Sequence, residues 1–219
     1  MSIAPYPKRS LAVSRHDPAR VIGRMTMDEY VAFERDSLEK HELMDGEVVR
    51  MAGGSPEHNR ISFDAGRTFA EVFDSANVNC DVYGSDQKVF ITRKLAYYPD
   101  VTFVCGEAQF DERDMLRNPA AIIEVLSPST AAFDRGQKFE KYQTLESLQH
   151  YILIEQDRVS VTHFEKIAGN LWAIVGTHTA LTESLTVTLG ETSVQAELSA
   201  IYRRVAFEAP SEDKDDSAE

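Results

Sequence analysis

The chain has 219 residues, 42% hydrophobic and 27% charged, with a formal net charge of −13 and a sequence pI near 4.9. That length holds one domain with terminal extensions, and the acidic balance argues against a strong nonspecific nucleic-acid binder, which needs a basic surface. No apolar run reaches the length of a membrane span, and the N-terminal segment lacks an apolar stretch after its basic residues, so the chain reads as cytoplasmic, with no secretory signal.

Residues 1–24 carry Lys8, Arg9, Arg15, Arg20 and Arg24 against Asp17, a net of +4. They are expected to form a basic, flexible leader. A folded domain is expected over 25–205, followed by an acidic disordered tail over 206–219. Within that tail, Glu208 to Glu219 hold six acidic residues and one lysine, a net of −5.

Thr26 and Glu29 have the spacing of a capping box, and Tyr30, Phe33 and Leu38 give the helix that follows a partial apolar face. Asp45-Gly46 separates two short apolar pieces, a hairpin signal. Ser55-Pro56 opens a helix that puts Ile61, Ala65, Phe69, Val72 and Ala76 on one side. From Val78 the period shortens to that of strands, through CDVYGSDQKVFIT and AYYPDVTFVCG. Cys80 and Cys105 lie in these alternating stretches and read as buried free thiols, too few for a disulfide framework or a zinc site.

AAIIEVLSPST is a strand stopped by Ser127-Pro128, and a helix is expected from about Asp134 to Leu148. HYILIEQ reads as a strand buried on both faces. VSVTHFEK and LWAIVGT flank a turn at Gly169-Asn170, and weak alternation leads to a short helix near Ile201. This order of elements is α+β.

Two carboxylates stand out in apolar strands. Glu124 sits among Ile122, Ile123, Val125 and Leu126, where an ionised group is costly unless it is paired or bound to a cation. Asp100 follows Pro99 at the head of VTFVC. On neighbouring strands the two can converge on one oxygen-seeking divalent cation. Taken singly, Asp100 suits a strand start and Glu124 an ion pair. Asp134, Lys138 and Tyr142 are spaced by four on the helix after the Glu124 strand, so they share a face that can turn back over that carboxylate. A lysine there can orient a nucleophile or stabilise a phosphoryl transition state; the plainer alternative is an exposed Asp134–Lys138 pair. Weaker candidates are Glu42 beside the hairpin, His58 in the first turn of its helix, and Asp86 two residues from Lys88 on a strand. There is no HExxH, CxxC pair or glycine-rich phosphate loop.

The ordered set DGEVVRMAGGSPEHNRI, SDQKVFI, YYPDVTFVCG, IIEVLSPST, DRGQKFEKYQ and SLQHYILIEQD, over about Met25 to Arg204, resembles the Uma2 family of the PD-(D/E)XK nuclease superfamily. The resemblance implies a restriction-endonuclease-like core, a mixed sheet flanked by helices with added antiparallel strands. It implies a Mg²⁺- or Mn²⁺-dependent endonuclease acting on nucleic acid, with DNA as the expected substrate. Pro99-Asp100 matches the PD and Glu124 the acidic position. Leu126 stands where the motif lysine would be, so the lysine is expected on the next helix, as Lys138, with Lys141 the runner-up about 60° to one side. Asp100 and Glu124 would be the metal ligands. The alternative is a catalytically silent binding module on the same fold. A homodimer is expected only by analogy with enzymes that cut both strands.

Overall fold

A computed structural model describes residues 20–207. Val21–Arg24, counted above in the leader, forms strand β1, because its backbone pairs antiparallel with Glu47–Arg50 (β3). The rest of the leader, residues 1–19, and the acidic run 208–219 lie outside the described residues. At the other end Phe207 packs edge-on against Tyr202 and touches the core, so the folded unit runs two residues past the expected boundary.

Helix α1 (Met27–Asp36) starts at the capping box: the Thr26 side chain accepts from the Glu29 N–H, and the Glu29 carboxylate takes the Thr26 N–H at 2.8 Å. It stops short of Leu38, which is fully exposed instead of joining Tyr30 on the buried face. Strand β2 (His41–Met44) turns into β3 through Asp45 and Gly46, with φ of 51° and 85°. Positive φ at both positions is what a two-residue hairpin turn of the right twist demands. With β5 (Val89–Thr92) and β6 (Leu95–Tyr97), these strands form an antiparallel sheet ordered β1-β3-β2-β6-β5.

The second sheet has the order β11-β10-β9-β8-β7-β4. Its members are β4 (Cys80–Gly84), β7 (Val101–Cys105), β8 (Ala121–Leu126), β9 (His150–Glu155), β10 (Val161–Ala168) and β11 (Leu171–His178). Among the described strands of this sheet only β8 and β9 pair in parallel, and a parallel pair needs a long crossover. That crossover is α3 (Ala131–Phe133), a π-helical turn over Asp134–Lys138, and α4 (Phe139–Tyr142). The helical stretch starts three residues earlier than expected, since the Ser127 carbonyl already accepts the Ala131 N–H. It ends at Tyr142, well before Leu148, where the Thr144 hydroxyl donates to the Lys141 carbonyl at 2.7 Å.

Both faces of β8 are covered. Ala121, Ile123 and Val125 meet Ile61, Ala65, Phe69 and Phe73 of α2 (Pro56–Ser75), together with Leu185 and Val187 of β12 (Ser184–Leu189), Val194 of β13 (Thr192–Glu197) and α5 (Leu198–Ile201). Ile122 and Leu126 meet Phe133, Phe139, Tyr142 and Tyr151 on the other side. This explains the unbroken apolar run of AIIEVL. Ala76, expected on the apolar side of α2, is its exposed C-cap. The cysteines are not free: Cys80 and Cys105 face each other across β4 and β7 and form a disulfide. Direct opposition in an antiparallel pair brings their Cβ atoms within bonding reach. Among the described residues no helix is long and apolar enough to cross a membrane.

Candidate active site

Glu124 lies on the even-numbered face of β8, the face covered by the crossover helix. The alternation that buries Ile122 and Leu126 there forces the carboxylate inward with them. Val101 pairs with Ile123 across β7 and β8, and one step along that register sets Asp100 against Glu124. The Asp100 Oδ2 accepts the Val125 N–H at 2.7 Å and lies 3.3 Å from His58 Nε2. His58 is carried there by the first turn of α2, which Ser55 caps by accepting the His58 N–H at 3.0 Å.

The crossover supplies the cation. Lys138 Nζ lies 2.5 Å from Glu124 Oε1 and 3.7 Å from both Asp134 Oδ1 and Glu42 Oε1. Glu42 arrives from β2 of the other sheet, held by the Tyr98 N–H at 3.2 Å. Tyr142 donates its hydroxyl to Glu124 Oε1 at 3.1 Å. The turn Asp134–Lys138 is π-helical, and the side chains at both its ends are buried; such turns recur at functional sites.

The cluster is unevenly open. The Lys138, Glu42, Asp134 and Glu124 side chains are 0–3% exposed, whereas Asp100 and His58 reach 15% and 17%. Asp100 and His58 therefore form the solvent-facing rim, and Lys138 the floor.

Burial raises the Glu124 carboxyl to about 8; Lys138 opposes this, and the charges of Asp100 and Asp134 add to it. Burial also acts to raise Asp100, but His58, Lys138 and the Val125 N–H outweigh it and hold that carboxyl below its ordinary value. For His58, burial acts against the imidazolium, and the hydrogen bond and charge of Asp100 reverse it, with Asp134 behind. Burial, then the charge of Glu124, pushes the Tyr142 phenol well up, so it remains the donor.

Of the residues singled out from sequence, Asp100, Glu124, Lys138, Glu42, His58 and Tyr142 come together. Asp86 does not. It sits in the turn after β4, its side chain 90% exposed and paired with Lys40, because Ser85-Asp86 is a turn and not part of a strand. Lys141 is on the surface, 3.6 Å from Asp45. Asp134, which shares a helix face with Lys138 by its spacing, is 2% exposed and belongs to the cluster.

Three buried carboxyl groups, with Asp100 at the rim, outnumber the one lysine and one histidine beside them, and among the described residues Asp134 Oδ1 is buried with no hydrogen-bond donor. An all-oxygen set of this kind fits a hard divalent cation.

The chain is 35% identical over 153 residues to "Uncharacterized protein sll1609" of Synechocystis sp. (strain ATCC 27184 / PCC 6803 / Kazusa), spanning 68% of this chain and 85% of that protein. It is 31% identical over 193 residues to "Uncharacterized protein slr1290" of the same organism, spanning 88% and 98%. Its fold matches the crystal structure of a "putative nuclease belonging to DUF820" from Anabaena variabilis ATCC 29413, with a TM-score of 0.63 and 13% identity, over 81% of this chain and 97% of that one. The model of the Uma2 family, described as "Putative restriction endonuclease", matches residues 27–199, and the chain belongs to that family.

Proposed function

We propose that the protein is a Mg²⁺- or Mn²⁺-dependent endonuclease that hydrolyses phosphodiester bonds, with DNA as its substrate. The observation that carries this reading is the excess of buried carboxylate around Lys138, with Asp100 on the open side. Asp100 and Glu124 are the metal ligands, with Asp134 and Glu42 in reach. The cation, when bound, supplies Lewis acidity toward the scissile phosphate and lowers the pKa of its water. Lys138 holds Glu124 in place and offers positive charge to the phosphoryl transition state. His58 orients the Asp100 carboxylate, and the Tyr142 hydroxyl fixes the rotamer of Glu124. The substrate approaches past Asp100 and His58, because the other members are closed off by protein.

The competing reading is an inert ion-pair core in a binding module, favoured by the direct 2.5 Å contact of Lys138 with Glu124. The deciding experiment combines melting temperature with plasmid cleavage. A melting rise with Mn²⁺ that disappears in Glu124→Gln, together with cleavage that disappears in Asp100→Asn, supports the nuclease. Equal melting curves with and without millimolar Mn²⁺, and no cleavage, leave the binding module.

A further inference from the structure

The six-stranded sheet carries a second group of ligating side chains on its opposite face. Across β9 and β10, His163 pairs with Ile152 and Glu165 with His150. Ile152 belongs to the core on the α2 side, so by alternation all three polar residues project to that face. Glu124 projects the other way, since its register partner Leu153 lies in the core beneath the crossover helix. His150 and His163 are 1% and 3% exposed, and Glu165 is half-buried.

Their protonation is dictated by the hydrogen bonds. His150 Nε2 lies 2.7 Å from the Thr188 carbonyl of β12. A carbonyl only accepts, so Nε2 carries the proton and Nδ1 presents a lone pair. That lone pair faces His163 Nε2 at 3.0 Å. An imidazole whose far nitrogen donates to a backbone carbonyl is oriented as metal-bound histidines are. Burial holds both rings below their ordinary pKa, His163 at about 3, so both are neutral at pH 7.

We propose that His150, His163 and Glu165 form a zinc site, chemically and spatially distinct from the carboxylate cluster at Glu124. Their ligating atoms all lie within 4.8 Å of one another. Two imidazole nitrogens on one tetrahedral zinc stand about 3.3 Å apart, against 3.0 Å here, so the rings need to part by only a few tenths of an ångström. Zinc takes the place of the proton between the two rings, which His163 carries on Nδ1 instead. Two imidazoles with a single carboxylate select a borderline cation over Mg²⁺. With both histidines buried, the site clamps β9 to β10 and, through Thr188, ties the β12–β13 hairpin to the sheet. It takes no part in hydrolysis.

The test uses the full chain without a polyhistidine tag and with Glu124→Gln, which removes a ligand of the other cluster. Calorimetric titration with Zn²⁺ is expected to show one equivalent bound, and Mg²⁺ none. Adding Glu165→Gln, a change at a half-buried side chain, is expected to weaken zinc by about tenfold or more, and His163→Asn by more than that. Should His163→Asn fail to fold, zinc-edge X-ray absorption of the Glu124→Gln protein decides, with two imidazoles expected in the first coordination sphere. No binding of Zn²⁺ at millimolar concentration, a coordination sphere of oxygen alone, or an affinity unmoved by Glu165→Gln overturns the proposal.

Discussion

Lys138 Nζ lies 2.5 Å from Glu124 Oε1, at the floor of a cluster drawn from two sheets and the helix that joins β8 to β9. The pair is almost wholly shielded from water, so each partner depends on the other. Above about pH 8, where Glu124 is ionised, removing the lysine from this buried pair leaves an uncompensated charge and costs about 3–5 kcal/mol. Lys138→Met is therefore expected to lower the unfolding free energy by about that amount. Lys141→Met, at a partly exposed side chain beside Asp45, should stay within about 0.5 kcal/mol of wild type. Urea denaturation in the presence of a chelator separates the two, and a small effect at Lys138 would show that the cluster is not tightly buried in solution.

The Glu124 carboxyl predicts a pH dependence of stability in the metal-free protein. Its folded value of about 8 lies above the ordinary 4.5, so protonation favours the folded state. That contribution is complete below about pH 4.5 and is lost as the pH rises through about 8. Unfolding free energies measured from pH 5 to 9 in a chelator should fall toward high pH, and Glu124→Gln should flatten the slope. A divalent cation should flatten it too, because it favours the ionised carboxylate.

The disulfide between Cys80 and Cys105 closes a loop with a sequence separation of 25 and ties edge strand β4 to β7. Cross-links over loops of this size stabilise by about 2–4 kcal/mol. Treatment with a reductant, or the Cys80→Ser/Cys105→Ser pair, is expected to lower stability by that amount in chemical denaturation, without changing the far-ultraviolet circular dichroism spectrum.

Phe103 is fully buried on β7, with ring centroids 4.7 Å from Phe69 and 5.2 Å from Phe73. Phe103→Ala should cost about 3–5 kcal/mol through lost burial and the cavity left behind. Asp86→Ala, in an exposed turn, should be neutral within about 0.5 kcal/mol and should leave metal binding unchanged. Paired melting curves check both.

Local chemistry made much of this legible in the residues. The Thr26 and Ser55 caps, the Asp45-Gly46 turn and the two-sided apolar strands IIEVL and YILIE are written in neighbouring residues, and the structure places them where the patterns put them. Asp100 and Glu124 stood out because a carboxylate in an apolar strand needs an explanation. The errors fell where local pattern is silent. Ser85-Asp86 is followed by an alternating run, so it looked like strand, yet it is the turn where the chain leaves β4 of one sheet for β5 of the other. Strand β1 leaves no local signal, because VIGR has no periodicity of its own and is ordered by pairing with β3.

What the sequence determined by itself is the set of elements and the acidic residues that cannot rest unpaired in them, because caps, turns and alternation act over a few residues. What only the tertiary structure decided is who meets whom. Lys138 meets Glu124 while Lys141 lies beside Asp45, because the crossover packs its Lys138 side on β8. Glu42 joins through the meeting of two sheets. The disulfide and the His150–His163 contact follow from strand register. Residues 13 to 96 positions apart are brought together by burial of the whole core, and no short window of sequence carries that information.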